Sequence, residues 1–335
     1  MNSKEILFKV VDKENLTKNE AYDFLSLVMK GDFSEILLSS FLTAMKFKGE
    51  VSDELFGFAR AMRDAAIKPK RKFDFDFLDT CGTGGDGKNS INISTLAALT
   101  LASMGVKVAK HGNRSVSSVC GSSDLLIELG YKMDKTHEEV EENFLRFGFV
   151  FLFAPFWHPA MKFAANVRKE LGFRTFFNLI GPLCNPFSAP YQIVGVYSKE
   201  YLEIISKVLI QLELKKSIVC HSEDGFDEFS VFHPTLYYHS NGNDLSKEIF
   251  HPSVLKLKNL KEEEIFTDSR EKSVKMVKEI LLGKINTGSY AVALNAGVSL
   301  YLMEIVKSIP EGFERALSEI ECGKINEYFS RILNG

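Results

Sequence analysis

A glycine-rich loop with aspartates near both ends is the first stretch of this sequence that could carry chemistry. It runs from Asp79 to Gly87 as Asp-Thr-Cys-Gly-Thr-Gly-Gly-Asp-Gly. Bare backbone at glycine lets N–H groups approach an anion closely. Asn92-Ile93-Ser94-Thr95 then opens a helix-forming run that ends at Gly105, so Asn92 or Ser94 is expected to cap a helix facing the loop. A strand, a glycine loop and a helix N-terminus in that order predict a phosphate site.

The same loop has a plainer interpretation, a tight turn between a strand and a helix. It is not a P-loop, because no Gly-Lys-Ser or Gly-Lys-Thr closes it, and it lacks the spacing of the dinucleotide fingerprint. A basic stretch, Lys110-His111-Gly112-Asn113-Arg114, favours the phosphate interpretation. It follows the predicted strand 106–109 and precedes several serines, which places two cations and several hydroxyls at a strand end. For either cation taken singly, a surface charge is the alternative.

An adjacent pair of carboxylates, Asp227 and Glu228, lies in a loop after the predicted strand 217–221. Adjacent carboxylates repel each other, and magnesium relieves that repulsion while it bridges diphosphate oxygens. Judged from these residues alone, a solvated acidic loop is the favoured interpretation of the pair.

The elements that must position these residues fall into two parts. Residues 1–69 are predicted to form a small all-helical domain, with a capping box at Thr17–Glu20, a stop at Gly31 and a further helix from Ser34. From Phe73 onward, short apolar strands alternate with helices. This alternation predicts a larger α/β domain with a mainly parallel central sheet covered by helices. The predicted strands are 73–78, 106–109, 149–153, 192–197 and 217–221, and the predicted C-terminal helices are 269–282, 288–306 and 310–333.

Composition and charge argue against several classes of protein. Of 335 residues, 45% are hydrophobic and 25% are charged, as expected for a globular protein of two domains. The net charge of −3 argues against a nucleic-acid binder that neutralises phosphates. Five widely spaced cysteines without metal-ligand spacing are expected to be reduced thiols. With no signal-peptide pattern and no apolar run of about 18 residues, the sequence predicts a cytoplasmic protein without membrane spans.

The glycine loop, the Asn-Ile-Ser-Thr run and the Lys-His-Gly-Asn-Arg stretch together resemble the anthranilate phosphoribosyltransferase family. The resemblance covers nearly the whole chain and is strengthened by 158–162, 167–186 and 224–228. It implies transfer of the phosphoribosyl group of 5-phosphoribosyl 1-pyrophosphate to the amine of anthranilate, with release of pyrophosphate, as the second step of tryptophan biosynthesis from chorismate. It also implies Mg²⁺ as cofactor, and two discontinuous domains: 1–69 with 166–186, and 70–165 with 187–335.

The resemblance further implies a role for each site residue, and none of them is a nucleophile. Anthranilate would contact Gly82, Asn113 and Arg168, and the metal would be bound by Ser94, Asp227 and Glu228. A plain N-cap is the alternative for Ser94, and a helix-surface position is the alternative for Arg168, although its neighbour Lys169 suits that position better. The residues implied for phosphoribosyl pyrophosphate are Gly82, Gly85, Asp86, Ser90, Asn92, Ile93, Ser94, Thr95, Lys110, His111, Gly112, Asn113, Arg114, Ser115, Val116, Ser117, Ser118 and Ser122.

Three positions depart from the family pattern without touching a residue assigned to the chemistry. Trp157 stands where the family often has a histidine, and this puts in doubt any role of that histidine in the anthranilate channel. Ser222 stands where a glycine is common, and Val119-Cys120 replaces a more usual Lys-Ser.

The expected partners are the two small-molecule substrates and a second copy of the chain, with neither nucleic acid nor membrane. Phe41, Leu42 and Met45 are predicted to form the contact of a homodimer through the helical domain, because their helix has more apolar positions than one core stripe needs. A fully internal helix is the alternative. No amidotransferase segment precedes Met1, so a free-standing transferase is expected, and the sequence makes no prediction about association with anthranilate synthase.

Two other functions stay open at this point. One is a pyrimidine nucleoside phosphorylase, which shares the two-domain architecture but has a Lys-His-Ser-type stretch in place of Lys-His-Gly-Asn-Arg. The other is a fold relative that has lost the enzyme site and binds nucleic acid. Such a relative should be basic and should lack the loop and the acidic pair, both of which this chain retains.

Overall fold

The chain is described by a computed structural model that places residues 3–84, 87–114, 120–133 and 135–335. Its helices are α1 (Ser3–Val11), α2 (Lys18–Lys30), α3 (Glu35–Lys48), α4 (Ser52–Asp64), α5 (Ile93–Ser103), α6 (Ser122–Glu128), α7 (His137–Phe147), α8 (Ala154–Trp157), α9 (Lys162–Leu171), α10 (Phe176–Ile180), α11 (Tyr201–Gln211), α12 (Arg270–Leu281), α13 (Thr287–Leu302), α14 (Ile309–Glu321) and α15 (Lys324–Asn334). Its strands are β1 (Leu78–Gly82), β2 (Val108–Gly112), β3 (Phe149–Phe153), β4 (Tyr191–Gly195), β5 (Lys216–Ser222), β6 (Thr235–Asn241) and β7 (Asp244–Phe250).

The N-terminal helices begin and end at the predicted signals. The Thr17 hydroxyl accepts the Glu20 N–H, and the Glu20 carboxylate accepts the Thr17 N–H at 2.8 Å, which completes the predicted capping box. Gly31 ends α2 in the left-handed conformation, with φ of +80°, which glycine adopts without strain. The Ser34 hydroxyl caps α3 by accepting the Leu37 N–H. The predicted helical region is confirmed.

The predicted dimer contact on α3 is wrong in its residues. Phe41, Leu42 and Met45 are buried inside the chain's own core, where the Phe41 ring stacks on Phe24 with centroids 3.6 Å apart. The opposite face of the helix is the exposed one. The apolar side chains that it presents to solvent are Ile36, 80% exposed, and Phe47, 82% exposed.

The central sheet has the strand order β3-β2-β1-β4-β5-β6-β7. Strands β1 to β5 pair in parallel, and β6 and β7 extend the sheet as an antiparallel hairpin. This arrangement confirms a mainly parallel sheet. The chain builds outward from β1 to β3, then returns to the other side of β1 with β4 and β5. Such a reversal of strand order opens a crevice outside the carboxyl ends of β1 and β4, where ligands of open α/β sheets bind.

Several predicted boundaries need correction. The predicted strand 73–78 is wrong, because β1 starts only at Leu78. The alternating rings of Phe73, Phe75 and Phe77 instead pack around Phe144 of α7, with centroids 5.0 to 5.5 Å from it. The predicted helix 310–333 is two helices, α14 and α15, divided at Gly323, whose φ is +68°. The hairpin β6–β7 is an addition that the sequence analysis did not contain.

The two faces of the sheet support two different cores. One core joins α5, α13, α14 and α15 to the sheet. The other joins α2, α3 and α4 to α9, α10 and α11 and to the opposite face of β4 and β5. Side chains from 164–184 therefore pack with the N-terminal helices, as a return of the chain to that domain requires; the boundaries at 166 and 186 stay a prediction. No helix among the described ranges is long and apolar enough to span a membrane.

Candidate active site

The last residues of β1 and β4, Gly82 and Gly195, are register partners at the floor of the crevice. Asp227 lies directly over both of them. A Cβ on Gly82 would fall 2.3 Å from Asp227 Oδ2, and a Cβ on Gly195 would fall 1.4 Å from the Asp227 carbonyl oxygen. Neither glycine has a positive φ. The two glycines are therefore required by the close approach of the acidic loop to the strand ends, not by their own backbone conformation.

Three hydrogen bonds fix the first half of the glycine loop. The Thr83 N–H donates to the Gly195 carbonyl at 2.8 Å, and the Tyr197 N–H donates to the Thr83 hydroxyl at 3.1 Å. The Gly84 N–H donates to Asp227 Oδ2 at 3.0 Å. The loop is thus held from β4 on one side and from the acidic pair on the other. The remaining loop residues of the prediction, Gly85 and Asp86, lie outside the described residues, as do Ser115, Val116, Ser117 and Ser118.

Both predicted metal carboxylates contact backbone N–H groups, one in the glycine loop and one in the run 92–95 that the sequence assigns to the diphosphate. Asp227 accepts from Gly84, and Glu228 Oε1 accepts from the Ser94 N–H at 3.0 Å, in the first turn of α5. The loop and the helix N-terminus therefore offer convergent N–H donors, together with the positive end of the α5 dipole, and both donors are engaged by anionic oxygen. Phosphate oxygens are recognised by the same chemistry.

Helix α5 is capped differently from the prediction. Asn92 is its N-cap residue, but the Asn92 amide donates instead to the Cys120 carbonyl at 3.0 Å. The carboxylate of Glu228, 134 residues away in sequence, takes over the Ser94 N–H. The side chains of Ile93 and Thr95 point into the core and are buried. Only the backbone of those two residues can serve a ligand in the crevice.

Lys110 lies behind the site and not on a free surface. Its side chain is on the same face of the sheet as α5, the residue is 2% exposed, and its ammonium donates to the Ser94 hydroxyl at 3.3 Å and to the Thr80 carbonyl. Burial lowers the pKa of this ammonium, and the carboxylates of Asp79, Glu228 and Asp227 oppose that shift. Lys110 thus fixes the side chain of Ser94 through their hydrogen bond. Its direct contact with a phosphate stays a prediction.

A buried carboxylate without a predicted role, Asp79, fixes the start of the basic stretch. It accepts the His111 N–H at 3.0 Å and the Asn185 amide at 2.9 Å. Burial raises the pKa of Asp79 to about 6. Burial also lowers the pKa of the His111 imidazole, whose ring centroid lies 5.2 Å from that of His158. His111 is therefore neutral at pH 7.

The remaining described residues predicted for phosphoribosyl pyrophosphate lie just before α5, just after β2 and at the start of α6. The Ser122 hydroxyl, at the start of α6, donates to the Asn113 carbonyl at 3.2 Å and also lies against Gly112. Asn113 and Arg114 are exposed. Ser90 is held in an antiparallel bridge with Phe266. The structure thus brings Gly112, Asn113 and Ser122 together, and their contact with phosphoribosyl pyrophosphate stays a prediction.

Arg168 on α9 is half-buried, with its guanidinium 5.0 Å from the ring centroid of Phe177, whereas Lys169 is exposed. Burial lowers the pKa of Arg168. Lys169 therefore occupies the helix-surface position that was the alternative for Arg168. Among the described residues, the hydrogen bonds and ion pairs do not join Arg168 to Gly82 or Asn113, so the predicted anthranilate site stays a prediction.

Family models match both parts of the chain. Residues 4–66 match the helical bundle domain of a glycosyl transferase family, and residues 74–326 match its a/b domain. The two matches define a two-domain glycosyl transferase.

Curated relatives and solved structures make the assignment narrower. An anthranilate phosphoribosyltransferase of Saccharolobus islandicus (strain L.S.2.15 / Lassen #1) is 39% identical over 337 residues, covering 100% of this chain and 96% of the relative. One of Thermoanaerobacter sp. (strain X514) is 39% identical, covering 98% and 97%. The crystal structure of the Thermus thermophilus enzyme superposes with a TM-score of 0.91 at 37% identity, covering 98% of each chain. The Saccharomyces cerevisiae enzyme in complex with PRPP and Mg gives 0.90 at 26% identity, covering 99% and 97%.

The chain belongs to the anthranilate phosphoribosyltransferase family. The resemblance, the fold class and the enzyme class predicted from the sequence are confirmed. Membership in this family decides against both alternatives, the pyrimidine nucleoside phosphorylase and the nucleic-acid-binding relative.

Proposed function

We propose that this protein transfers the phosphoribosyl group of 5-phosphoribosyl 1-pyrophosphate to the amine of anthranilate and releases pyrophosphate, the second step of tryptophan biosynthesis from chorismate. Family membership over the full chain supports the reaction. The observation that carries it in the structure is the pair of N–H donors, Gly84 and Ser94, that converge with Asp227 and Glu228 at the ends of β1 and β4. A diphosphate needs such donors, and a magnesium diphosphate needs such carboxylates.

Magnesium fits the residues present if the substrate brings part of its coordination shell. Asp227, Glu228 and the hydroxyl of Ser94 are oxygen donors, which Mg²⁺ prefers. No cluster of three or more His, Cys, Asp or Glu side chains within the described ranges could hold a metal alone. Bound there, Mg²⁺ would neutralise charge on the departing pyrophosphate. The yeast relative is described in complex with PRPP and Mg.

Asp227 and Glu228 occupy the N–H donors that a diphosphate would use, those of Gly84 and Ser94. Diphosphate oxygens would accept the same N–H groups, and Asp227 and Glu228 would then hold Mg²⁺. Each N–H donor would have an acceptor with or without the substrate, which avoids the cost of an unsatisfied donor.

Anthranilate, the acceptor, needs to be oriented, and the reaction needs no covalent enzyme intermediate. As the bond to pyrophosphate lengthens, the ribose carbon gains oxocarbenium character and the leaving group gains negative charge. Preorganised N–H donors stabilise that charge. Gly82, Asn113 and Arg168 would hold anthranilate so that its amine attacks in line. The direct test is the loss of anthranilate fluorescence on addition of phosphoribosyl pyrophosphate and Mg²⁺; with no product formed, the proposal fails.

Arg168→Ala is expected to raise the KM for anthranilate by roughly tenfold to a hundredfold, the scale of a charge-assisted contact with a carboxylate. The KM for phosphoribosyl pyrophosphate should change much less, because other residues hold that substrate. Steady-state kinetics with each substrate varied in turn measure both constants. Lys169→Ala, an exposed cation on the same helix, is the matched control and should change neither.

Aniline gives a second measurement of the same contact. Because it lacks the carboxylate, it should be a poor acceptor for the native enzyme and should lose little more in Arg168→Ala. An Arg168→Ala enzyme with weakened phosphoribosyl pyrophosphate binding and unchanged anthranilate binding would place Arg168 in the phosphate site instead.

A homodimer through the helical domain stays our proposal, with a corrected surface. Ile36 and Phe47 lie at opposite ends of one exposed face of α3, and α1, which packs on α3, exposes Phe8 and Val11. An exposed apolar face of this kind is typical of a subunit contact, and an isologous contact would bury it against its copy. The cytoplasmic location expected from the sequence likewise stays a prediction.

Ile36→Lys combined with Phe47→Lys is expected to convert the dimer to a monomer, because four buried ammonium groups would meet across a two-fold axis. Sedimentation equilibrium should give twice the 37.7 kDa chain mass for the native protein and that mass for the variant. Leu282→Lys combined with Ile305→Lys changes two exposed apolar residues of the other domain and should leave the dimer intact. A native protein that sediments as a monomer at micromolar concentration would contradict the proposal.

A further inference from the structure

A buried asparagine on α13 is hydrogen-bonded to the residue that follows the acidic pair. The Phe229 N–H donates to Asn295 Oδ1 at 3.0 Å, and Asn295 Nδ2 donates back to the Phe229 carbonyl at 3.0 Å. A third bond runs from Nδ2 to the carbonyl of Ala291 at 2.9 Å, one turn earlier in the helix. Asn295 is 8% exposed. We propose that Asn295 is a positioning residue of the transferase, which fixes Asp227 and Glu228 at the ends of β1 and β4.

The side-chain amide of Asn295 suits this role because it presents one acceptor and one donor to Phe229, as the backbone of a neighbouring strand would. Its oxygen accepts and its nitrogen donates at the spacing of a peptide group, so it pairs with both polar groups of Phe229. The N–H that it accepts belongs to the peptide bond between Glu228 and Phe229. Aspartate has no donor when ionised, and leucine has neither donor nor acceptor.

The acidic loop is held at several places along its length, and Asn295 supplies the anchor at Phe229, next to Glu228. At its start, the Ser222 N–H donates to the Phe226 carbonyl at 2.9 Å, and the Ser230 hydroxyl donates to Asp224 at 2.6 Å. In the middle, the backbone of Asp227 rests on Gly195. At the end, Asn295 anchors Phe229. Without this last anchor, Phe229 loses both hydrogen bonds that tie it, and with it the neighbouring Glu228, to α13.

The role rests on the proposed function, and it predicts a selective defect. Asn295 acts through Asp227 and Glu228, and its amide atoms are already used by the protein. Loss of the anchor should therefore appear in the Mg²⁺ requirement and in the KM for phosphoribosyl pyrophosphate. The KM for anthranilate should stay near the native value, because none of the groups assigned to anthranilate is held by Asn295.

The experiment compares Asn295→Asp and Asn295→Ser with Thr287→Val. Thr287 is a buried residue of the same helix whose hydroxyl also makes two hydrogen bonds, to Glu264 at 2.7 Å and from the Lys261 N–H at 2.9 Å. Both Asn295 variants should raise the Mg²⁺ concentration for half-maximal rate by roughly tenfold, the scale of a lost buried hydrogen bond. Thr287→Val should lower the melting temperature comparably and leave the Mg²⁺ requirement unchanged.

A pH series separates positioning from general damage. A buried carboxyl at position 295 has a raised pKa, and its neutral form can donate a hydrogen bond to the Phe229 carbonyl. Relative to the native enzyme at each pH, Asn295→Asp should therefore recover part of its Mg²⁺ affinity as the pH falls from 8 to about 6. Asn295→Ser has no such group and should not recover.

Hydrogen exchange gives a readout that does not depend on activity. In the native protein the Phe229 amide should exchange slowly, and in Asn295→Ser it should exchange much faster, whereas Thr287→Val should leave it protected. A folded Asn295→Asp or Asn295→Ser enzyme with the native Mg²⁺ requirement overturns the proposal, as does a native Phe229 amide that exchanges at the rate of an exposed one. A native protein that forms no product overturns the proposed function instead, which the native control reveals.

Discussion

Asp227→Asn combined with Glu228→Gln should lower kcat about a thousandfold, the several kcal/mol that a metal bridge contributes to a transition state. The two amides keep the size of the carboxylates and can still accept the N–H groups of Gly84 and Ser94. The fold and the loop contacts are therefore expected to survive. What the double variant loses is the negative charge that, in the proposed reaction, would hold Mg²⁺ on the departing pyrophosphate.

The measurement is the rate of anthranilate consumption at saturating substrates over a Mg²⁺ series, together with thermal unfolding. Glu223→Gln is the matched control, because Glu223 is an exposed carboxylate of the same loop, and this variant should keep nearly full activity. Calorimetry should show weak or no Mg²⁺ binding to the substrate-free native protein, since the diphosphate supplies part of the shell. Tight binding without substrate would refute the shared site.

The glycine loop, the acidic pair and the start of α5 could be found in the sequence because each is a short local run. The continuous apolar run at 149–153 likewise predicts β3, because a buried strand is apolar throughout. Helical periodicity with a cap at each end predicts α2 and α3.

What the sequence did not predict has one physical cause. An alternating pattern or a charge in the sequence does not reveal which distant residues pack against it. Phe73, Phe75 and Phe77 alternate like a strand, yet β1 begins only at Leu78, and the three rings pack on α7. The burial of Lys110 was not predicted either, because the pairing of β1 with β2 is what places it beside Ser94 of α5. The hydrogen bonds between Asn295 and Phe229 join residues that are 66 positions apart in the sequence. Such contacts follow from the topology of the sheet and from no local pattern.

The hairpin β6–β7 had a signal that could have been used. Gly242-Asn243 stands between two runs of seven residues that form the strands, and a two-residue Gly-Asn connection is a hairpin signal. The second run, Asp244–Phe250, is mostly polar, because β7 is the edge of the sheet and one of its sides faces solvent. A search of the sequence for apolar runs does not detect such an edge strand.

Gly195→Ala should abolish most activity although it adds one methyl group. The new Cβ would lie 1.4 Å from the Asp227 carbonyl oxygen and 2.4 Å from its carbonyl carbon, and both are backbone atoms that cannot rotate away. Asp227 is also held by its neighbours, since Phe229 is bonded to Asn295 on α13. The acidic loop must therefore shift bodily away from β4.

A shift of this size moves both carboxylates out of reach of the site. Displacement of a catalytic group by about 1 Å costs roughly a hundredfold in rate, so kcat/KM for phosphoribosyl pyrophosphate should fall by that factor or more. The fold should lose only about 1–3 kcal/mol, the usual cost of overpacking, because Gly195 has no positive φ and alanine fits its backbone.

Gly181→Ala is the control, since a Cβ there meets no atom within 4 Å and the backbone is helical, with φ of −48°. It should keep native activity and stability. Kinetics and thermal unfolding of the two variants, measured side by side, separate the site from the scaffold. A Gly195→Ala enzyme with native kcat/KM and a native Mg²⁺ requirement would show that the acidic loop does not need its seat on β4. The assignment of Asp227 and Glu228 to the metal would then lose its structural basis, because the contact that brings them to the ends of β1 and β4 would be dispensable.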